Sequence, residues 1–173
     1  MNKKIPAHLT KEIISSNDAE AYALYQKSTF GEPVGDKIQY SLSETLFLVE
    51  KNKLEVLAGN KKVPYKNLIN RFRKIDSKIQ IKYQVFKDLR ERGYIVKTAL
   101  KFGAEFRVYD KGAKPGKKHA KWIVFTDHES KKLTWHEFSA KNRIAHSTKK
   151  NLLLAIVDEE GAITYYEVKW VRV

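Results

Sequence analysis

The chain has 173 residues, of which 42% are hydrophobic, a formal net charge of +14 and no cysteine. This length suffices for one large domain or two small ones with a buried core. The absence of cysteine excludes disulfides and thiolate metal sites. No apolar run approaches the roughly 20 residues that span a bilayer, and residues 1–10 lack the apolar core of a signal peptide. We therefore expect a soluble, cytoplasmic protein.

The charge points to an anionic partner. Lys and Arg number 34 against 20 Asp and Glu, and such an excess attracts polyanions such as nucleic acid. Charged, cysteine-free surfaces also occur in thermophile proteins, so composition alone leaves that alternative open. The distribution of the charge favours nucleic acid, because residues 107–121 contain six basic residues and only one acidic residue, Asp110. The six are Arg107, Lys111, Lys114, Lys117, Lys118 and Lys121.

The first part of the chain predicts a small α/β unit. Asn17 or Asp18 is a suitable cap for a short helix that runs through Lys27 and stops near Gly31. Ser41 and Glu44 then form a capping-box pattern ahead of apolar residues at helical spacing. These two signals predict two helices within the first 50 residues.

A strand and two further helices follow. Residues 54–57 predict a strand and residues 58–63 a turn. Pro64 is expected to begin a helix, where its missing N–H is least costly. Apolar residues then recur at helical spacing from position 79 to position 89, and Gly93 ends that helix. We divide the chain near this helix, into residues 1–77 and 78–173.

The second part predicts strands with one helix between them. Residues 94–100 and 105–109 can pair as a hairpin, and residues 121–125 form a third short apolar run. Thr134 and Glu137 repeat the capping box and predict a helix over residues 135–146. Three later segments complete the pattern: a strand covered on both faces at 152–157, an acidic turn at 158–161 and a closing strand at 163–173.

Three side chains in this second part can together break a phosphodiester of RNA. Tyr109 ends a predicted strand, His119 lies in the basic segment, and Lys150 precedes an apolar strand. A phenol can take the proton of a ribose 2′-OH, an imidazole can protonate the departing 5′ oxygen, and an ammonium can stabilise the charge on the phosphorane. Each residue alone has an ordinary structural interpretation, whereas the three in one domain indicate a ribonuclease that needs no metal.

The sequence resembles the archaeal tRNA-splicing endonucleases over most of residues 40–168. The first 35 or so residues look divergent. The stretches that carry the resemblance are YSLSETLFLVE at 40–50, KYQVFKDLRERGYIVKTALKFGAEFRVYDKG at 82–112, HAKW at 119–122, RIAHSTKK at 143–150 and LLLAIVDEEGAITYYEV at 152–168.

The resemblance implies both a fold and an activity. The fold is α/β (α+β), with a small N-terminal α/β domain and a C-terminal nuclease domain of restriction-endonuclease type, built on a mixed sheet flanked by helices. The activity is cleavage of precursor tRNA at the bulge–helix–bulge structure of exon–intron junctions, by a tetramer and without a cofactor. Tyr109 is then the general base, His119 the general acid and Lys150 the transition-state stabiliser, and the products carry a 2′,3′-cyclic phosphate and a 5′-OH. A phenol is a weak base near neutrality, but neighbouring Lys and Arg charges favour its phenolate.

The resemblance also assigns RNA-binding residues. Arg143 matches an arginine that clamps a base of the bulge, a task that suits a planar, charged guanidinium. A second arginine is expected to complete the clamp from the facing subunit, and Arg172 is a candidate for it. The basic side chains beside the catalytic residues are expected to contact RNA phosphates: Lys111, Lys117, Lys118 and Lys121.

The acidic turn predicts an assembly contact. Asp158, Glu159 and Glu160 stand out in a basic chain, and the resemblance implies that this turn inserts into a basic pocket of a neighbouring subunit. A solvated hairpin turn is the alternative. The closing strand is apolar on both of its faces, which is typical of a covered or subunit-pairing strand.

Two other functions stay open at this point. Asp158, Glu167 and Lys169 fit the spacing with which restriction-type nucleases hold Mg²⁺. A non-catalytic RNA-binding partner subunit is the second alternative, although such a subunit has no need of Tyr109, His119 and Lys150 together. The sequence does not distinguish a homotetramer from a heterotetramer with a related subunit.

Overall fold

The computed structural model describes residues 4–173, which form two compact units divided between Tyr83 and Gln84. Each unit has its own mixed β-sheet with helices, so the predicted fold class is confirmed. The first three residues, which belong to the segment searched for a signal peptide, lie outside the described range. Within residues 4–173, no helix is long and apolar enough to cross a membrane.

The first unit contains a six-stranded sheet and three helices. The strands are β1 (Ile5–Thr10), β2 (Ile13–Ser16), β3 (Glu32–Val34), β4 (Lys37–Tyr40), β5 (Leu54–Ala58) and β6 (Lys61–Lys62). The helices are α1 (Ala19–Ser28), α2 (Leu42–Glu50) and α3 (Tyr65–Ile75). The strand order is β3-β4-β2-β1-β5-β6, with β1 and β5 parallel and the other neighbours antiparallel.

Helix caps in this unit follow the sequence closely. Asp18 caps α1 by accepting a hydrogen bond from the backbone N–H of Glu20 at 2.9 Å. Ser41 and Glu44 form the predicted capping box at the start of α2. Pro64 is the cap residue of α3, so the helix begins at Tyr65, one residue later than predicted. These cap residues mark where each helix begins.

Strands β1 to β4 were not predicted from the sequence. Each is short, and although Ile5, Ala7 and Leu9 alternate with outward-facing residues in β1, the proline at position 6 argues against a strand. The partner of β1 is β5, in a parallel register that pairs Ile5 with Leu54. A pairing between such distant segments leaves no local signal in a short strand. The predicted turn at 58–63 is also partly wrong, because Lys61 and Lys62 form β6 against β5.

The second unit contains a five-stranded sheet. Its strands are β7 (Ile95–Ala99), β8 (Ala104–Tyr109), β9 (Trp122–His128), β10 (Asn151–Val157) and β11 (Ile163–Val168), in the order β11-β10-β9-β8-β7. Helix α4 (Ile79–Glu91) includes the boundary between the units, and α5 (Trp135–Ser147) connects β9 to the parallel strand β10. A single 3₁₀ turn (Leu100–Phe102) links β7 to β8.

Strand β10 has the covered position that its sequence predicts. It lies between β9 and β11, and Leu152, Ala155 and Val157 are almost completely buried. The predicted closing strand is too long, because β11 ends at Val168 rather than at Val173. Val168 pairs with Leu152, the second residue of β10, so only Asn151 remains in β10 opposite residues 169–173.

Candidate active site

Tyr109, His119 and Lys150 line a single cleft of about 220 Å³ in the second unit. They come from three places in the chain: the end of β8, the loop between β8 and β9, and the residue before β10. The sheet order places β8, β9 and β10 side by side, which is why segments some 40 residues apart meet. The other lining residues are Phe102, Arg107, Gly116, Lys117, Lys118 and Ala120.

Tyr109 is held firmly by its surroundings. It pairs with Ile95 across the antiparallel β7–β8 ladder, and it is only 5% exposed. Its neighbours in a small hydrophobic cluster are Ala113 and Ala120, with Ile95 packed against them. A buried ring with few accessible rotamers keeps the phenol in one place at the cleft.

His119 lies on the loop between β8 and β9 and is exposed. The loop is anchored before and after His119 by the buried residues Ala113 and Ala120, which belong to one cluster with Tyr109, and the N–H of Lys121 donates to the carbonyl of Val108 at 2.8 Å. Gly116 has a φ of +90°, which a side chain would oppose. The loop therefore presents the imidazole to solvent next to the buried Tyr109.

Lys150 is positioned by the C-terminal end of α5. The N–H of Lys150 donates to the carbonyl of Ala145 at 2.9 Å, and the N–H of Lys149 donates to the carbonyl of His146 at 2.9 Å. This pair of bonds is a Schellman motif, in which the residue past the cap adopts the left-handed conformation. Here that residue is Lys149, with φ of +56°, where glycine is usual. The motif turns the chain from α5 into β10 and directs Lys150 to the cleft.

The ammonium group of Lys150 is partly desolvated. Its Nζ donates to the carbonyl of Thr148 at 2.7 Å and lies 5.8 Å from the centre of the Phe102 ring. Burial, and secondly the nearby charge of Arg107, lower the pKa of Lys150 below its usual value. A partly desolvated lysine interacts more strongly with an anion than a fully solvated one does.

The predicted RNA-binding residues are spread more widely. Lys117 and Lys118 line the cleft together with His119. Lys111 and Lys121 are not among its lining residues; instead their ammonium groups lie over the rings of Tyr94 and Trp122, at 5.6 Å and 4.3 Å from the ring centres. The remaining two are exposed, Arg143 on α5 and Arg172 in the segment after β11.

A second cleft, of about 260 Å³, shares Lys150 with the first. Sequence reasoning treated Trp170 only as part of an apolar strand. In the structure Trp170 is 56% exposed, and its ring lies 4.6 Å, centre to centre, from the ring of His146. The other lining residues are Asn142, Lys149, Asn151, Val168 and Lys169. An exposed Trp beside several cations was the available signal, since such surfaces stack bases.

The structure separates the acidic residues of the metal-dependent alternative. Glu167 pairs with Leu153, whereas Asp158 lies five residues further along the hairpin, or about 17 Å at 3.4 Å per residue. Glu167 accepts hydrogen bonds from Trp122 Nε1 at 3.0 Å and Asn151 Nδ2 at 2.7 Å. The bond from Trp122 lowers the pKa of Glu167. Within the described residues, no group of three His, Asp or Glu side chains is placed to hold a metal ion.

The acidic turn is a tight hairpin connection between β10 and β11. Asp158 Oδ1 accepts from the N–H of Ala162 at 2.8 Å, and the N–H of Asp158 donates to the carbonyl of Ala162 at 3.0 Å. Glu159 and Glu160 are exposed. The turn thus presents two carboxylates to solvent, while the third orders the backbone.

Comparison with known proteins gives consistent matches for both units. A family model described as tRNA intron endonuclease, N-terminal domain, matches residues 5–69, and one described as tRNA intron endonuclease, catalytic C-terminal domain, matches residues 79–165. The N-terminal match includes the segment that looked divergent from sequence alone.

Three curated relatives are named tRNA-splicing endonuclease. The protein from Thermococcus gammatolerans is 42% identical over 166 residues, which cover 95% of this chain and 97% of the relative. That from Pyrococcus horikoshii is 39% identical over 173 residues and 99% of both chains. That from Methanothermobacter thermautotrophicus is 36% identical over 170 residues, covering 98% of this chain and 99% of the relative.

Proposed function

Since the chain belongs to the tRNA intron endonuclease family, we propose that it is an endoribonuclease that cleaves precursor tRNA at exon–intron junctions with a bulge–helix–bulge structure. The observation that carries the proposal is the single cleft lined by Tyr109, His119 and Lys150 in the unit that matches the catalytic domain. A non-catalytic partner subunit would have no need of that combination.

The three side chains divide the reaction between them. Tyr109 takes the proton from the ribose 2′-OH, whose oxygen attacks the adjacent phosphorus. His119 gives a proton to the 5′ oxygen as the P–O5′ bond breaks. Lys150 stabilises the negative charge that develops on the phosphorane, and its partial burial strengthens that interaction. The products are a 2′,3′-cyclic phosphate and a 5′-OH, and no step requires a metal ion.

RNA binding extends beyond the cleft. Lys117 and Lys118 contact phosphates on either side of the scissile bond, as their position beside His119 suggests. Arg143 stacks on an extruded base of the bulge. We add Trp170 as a stacking surface, because its exposed ring borders the cleft that shares Lys150; it suits this role better than Arg172.

The active form is a tetramer, composed either of four copies or of two copies with two related subunits. The exposed carboxylates of the acidic turn enter a basic pocket of a neighbouring subunit and hold the tetramer together. The shape of the turn supports this role, because its backbone is ordered by Asp158 while Glu159 and Glu160 remain available.

End-group analysis tests the reaction directly. Intron-containing precursor tRNA is incubated with the purified protein in excess EDTA. We expect exon–intron cleavage to persist and the 3′ fragments to accept phosphate from a kinase without prior phosphatase treatment, since their 5′ ends are hydroxyls. Fragments that carry 5′-phosphates, or cleavage that stops with EDTA and returns with Mg²⁺, would contradict the proposal.

A further inference from the structure

The excess of basic over acidic residues in the first unit comes from one part of its sequence. Residues 1–50 contain five Lys and Arg against seven Asp and Glu, whereas residues 51–82 contain ten against two. A chain that was merely Lys-rich for solubility would distribute these charges more evenly. Two of the ten lie on β6 and four on α3, so these two elements carry most of the basic residues of the segment.

Helix α3 presents four of these ten basic residues on one face. Leu68 and Phe72 form its buried side. Lys66, Asn70 and Lys74 recur at intervals of four residues and therefore form one exposed stripe about 12 Å long. Exposed arginines extend the stripe on both sides, and the helix contains no acidic residue. We call Lys66, Asn70, Arg71, Arg73 and Lys74 the α3 basic face.

The nearest acidic residues in the sequence are already engaged. Glu55 pairs with Lys62 at 2.6 Å, and Asp76 pairs with Lys82 at 2.6 Å. In the part of the chain that the structure describes, none of the four cations of the α3 basic face has an acidic partner. Four like charges on one helix face repel one another, so a polyanion that binds there relieves the repulsion.

We propose that the α3 basic face is a second RNA-binding surface that contacts the phosphate backbone of the double-helical arms of the substrate. This inference rests on the proposed function. The stripe from Lys66 to Lys74 carries no exposed aromatic side chain, so it offers no ring on which bases can stack. Lysine and arginine on a convex helix instead suit phosphates, and such contacts are independent of sequence.

The acidic turn of a second copy is a poorer match for this face. That turn exposes only Glu159 and Glu160, because Asp158 bonds within its own hairpin. Two neighbouring carboxylates cannot neutralise four cations distributed along a helix face of about 12 Å. An RNA strand presents a negative charge at every residue and can follow the whole face.

Two matched variants test the proposal. The first is Lys66→Gln, Arg71→Gln, Lys74→Gln on α3. The control is Lys11→Gln, Lys27→Gln, Lys37→Gln, which removes the same charge from exposed positions in the first 50 residues. Glutamine favours helices about as well as lysine and arginine do, and circular dichroism checks that both variants are folded. Binding to precursor tRNA and to a continuous RNA duplex is measured from 50 to 200 mM salt.

We expect the α3 variant to bind RNA much more weakly than the parent at low salt, and the difference between their dissociation constants to shrink as the salt concentration rises. Loss of three phosphate contacts lowers the slope of log K against log salt by about 2.7, so the ratio of the two dissociation constants changes about 40-fold over this range. The control should follow the parent, and single-turnover cleavage at saturating protein should be unchanged in both variants.

Three results would overturn the inference. In the first, the two triple variants bind RNA alike. In the second, the α3 variant binds RNA like the parent but has a lower native mass, which would assign the α3 basic face to the acidic turn of another subunit. In the third, the α3 variant is folded and its affinity loss does not depend on salt. If the parent binds RNA but does not cleave precursor tRNA, the proposed function fails, whereas the duplex binding still tests the α3 basic face.

Discussion

The unusual residue at the end of α5 gives a quantitative prediction. Lys149 occupies the left-handed position of the Schellman motif that places Lys150. This conformation costs a residue with a Cβ atom roughly 1–2 kcal/mol. Glycine avoids that cost but gains more freedom in the unfolded chain, worth about 0.5–1 kcal/mol. Lys149→Gly should therefore be more stable than Lys149→Ala by about 0.5–1 kcal/mol.

The alanine variant is the matched control, because both substitutions remove the same charge and only alanine retains the Cβ atom. All three tryptophans of the chain, at positions 122, 135 and 170, belong to the second unit. Tryptophan fluorescence during urea unfolding therefore reports on the unit that contains the motif. We expect the urea midpoint of the glycine variant to be the higher of the two, with an unchanged slope.

The glycine and alanine variants should differ in stability but not in activity. If the motif places Lys150 through its two backbone hydrogen bonds, both variants keep those bonds and should cleave RNA at the same rate under single-turnover conditions. An alanine variant as stable as the glycine variant would refute the argument that residue 149 is strained.

Three further predictions concern RNA binding, assembly and pH. Arg143→Ala should lose about 1–3 kcal/mol of binding to bulged RNA but little toward a continuous duplex, and Arg143→Lys should remain impaired because it lacks a planar stacking surface; a lysine variant that binds like the parent would reduce the role of Arg143 to simple charge. Replacement of Asp158, Glu159 and Glu160 by Ala should convert tetramers to dimers in light scattering, and an unchanged mass would make the turn a solvated hairpin. The pKa of Glu167 is lowered in the folded chain, so its contribution to stability is present above its unfolded pKa and is lost as the pH falls through its folded pKa. The difference in stability between the parent and Glu167→Gln should therefore shrink over that pH interval. A constant difference would show that the ionised carboxylate has no special role.

Much of the second unit could be predicted from local sequence signals. The capping box of Thr134 and Glu137 gives the start of α5, and its side-chain and backbone bonds are both present. The apolar run of β10 gives a covered strand because side chains on both of its faces are buried, Leu152 on one face and Leu153 and Ala155 on the other. The end of β11 could not be predicted, since it depends on where β10 begins and not on the apolar character of residues 169–173.

The arrangement of the site was only partly accessible from the sequence. Tyr109, His119 and Lys150 were identified by their chemistry and by resemblance, but their common cleft results from the neighbouring positions of β8, β9 and β10. The ring contact between His146 and Trp170 joins a helix to the segment beyond a strand. No sequence pattern predicts such a contact, because only the tertiary structure brings the two rings together.

The general-acid role of His119 offers the most direct test of the proposed reaction. Two precursor tRNAs are compared, one natural and one with sulfur in place of the 5′ oxygen at the cleavage site. A thiolate is a good leaving group and needs no proton, since thiols are far more acidic than alcohols. His119→Ala should cleave the natural substrate about 10²–10⁴-fold more slowly than the parent and should cleave the sulfur substrate at nearly the parent's rate, with RNA binding unchanged. An equal loss on both substrates would show that His119 does not protonate the leaving group.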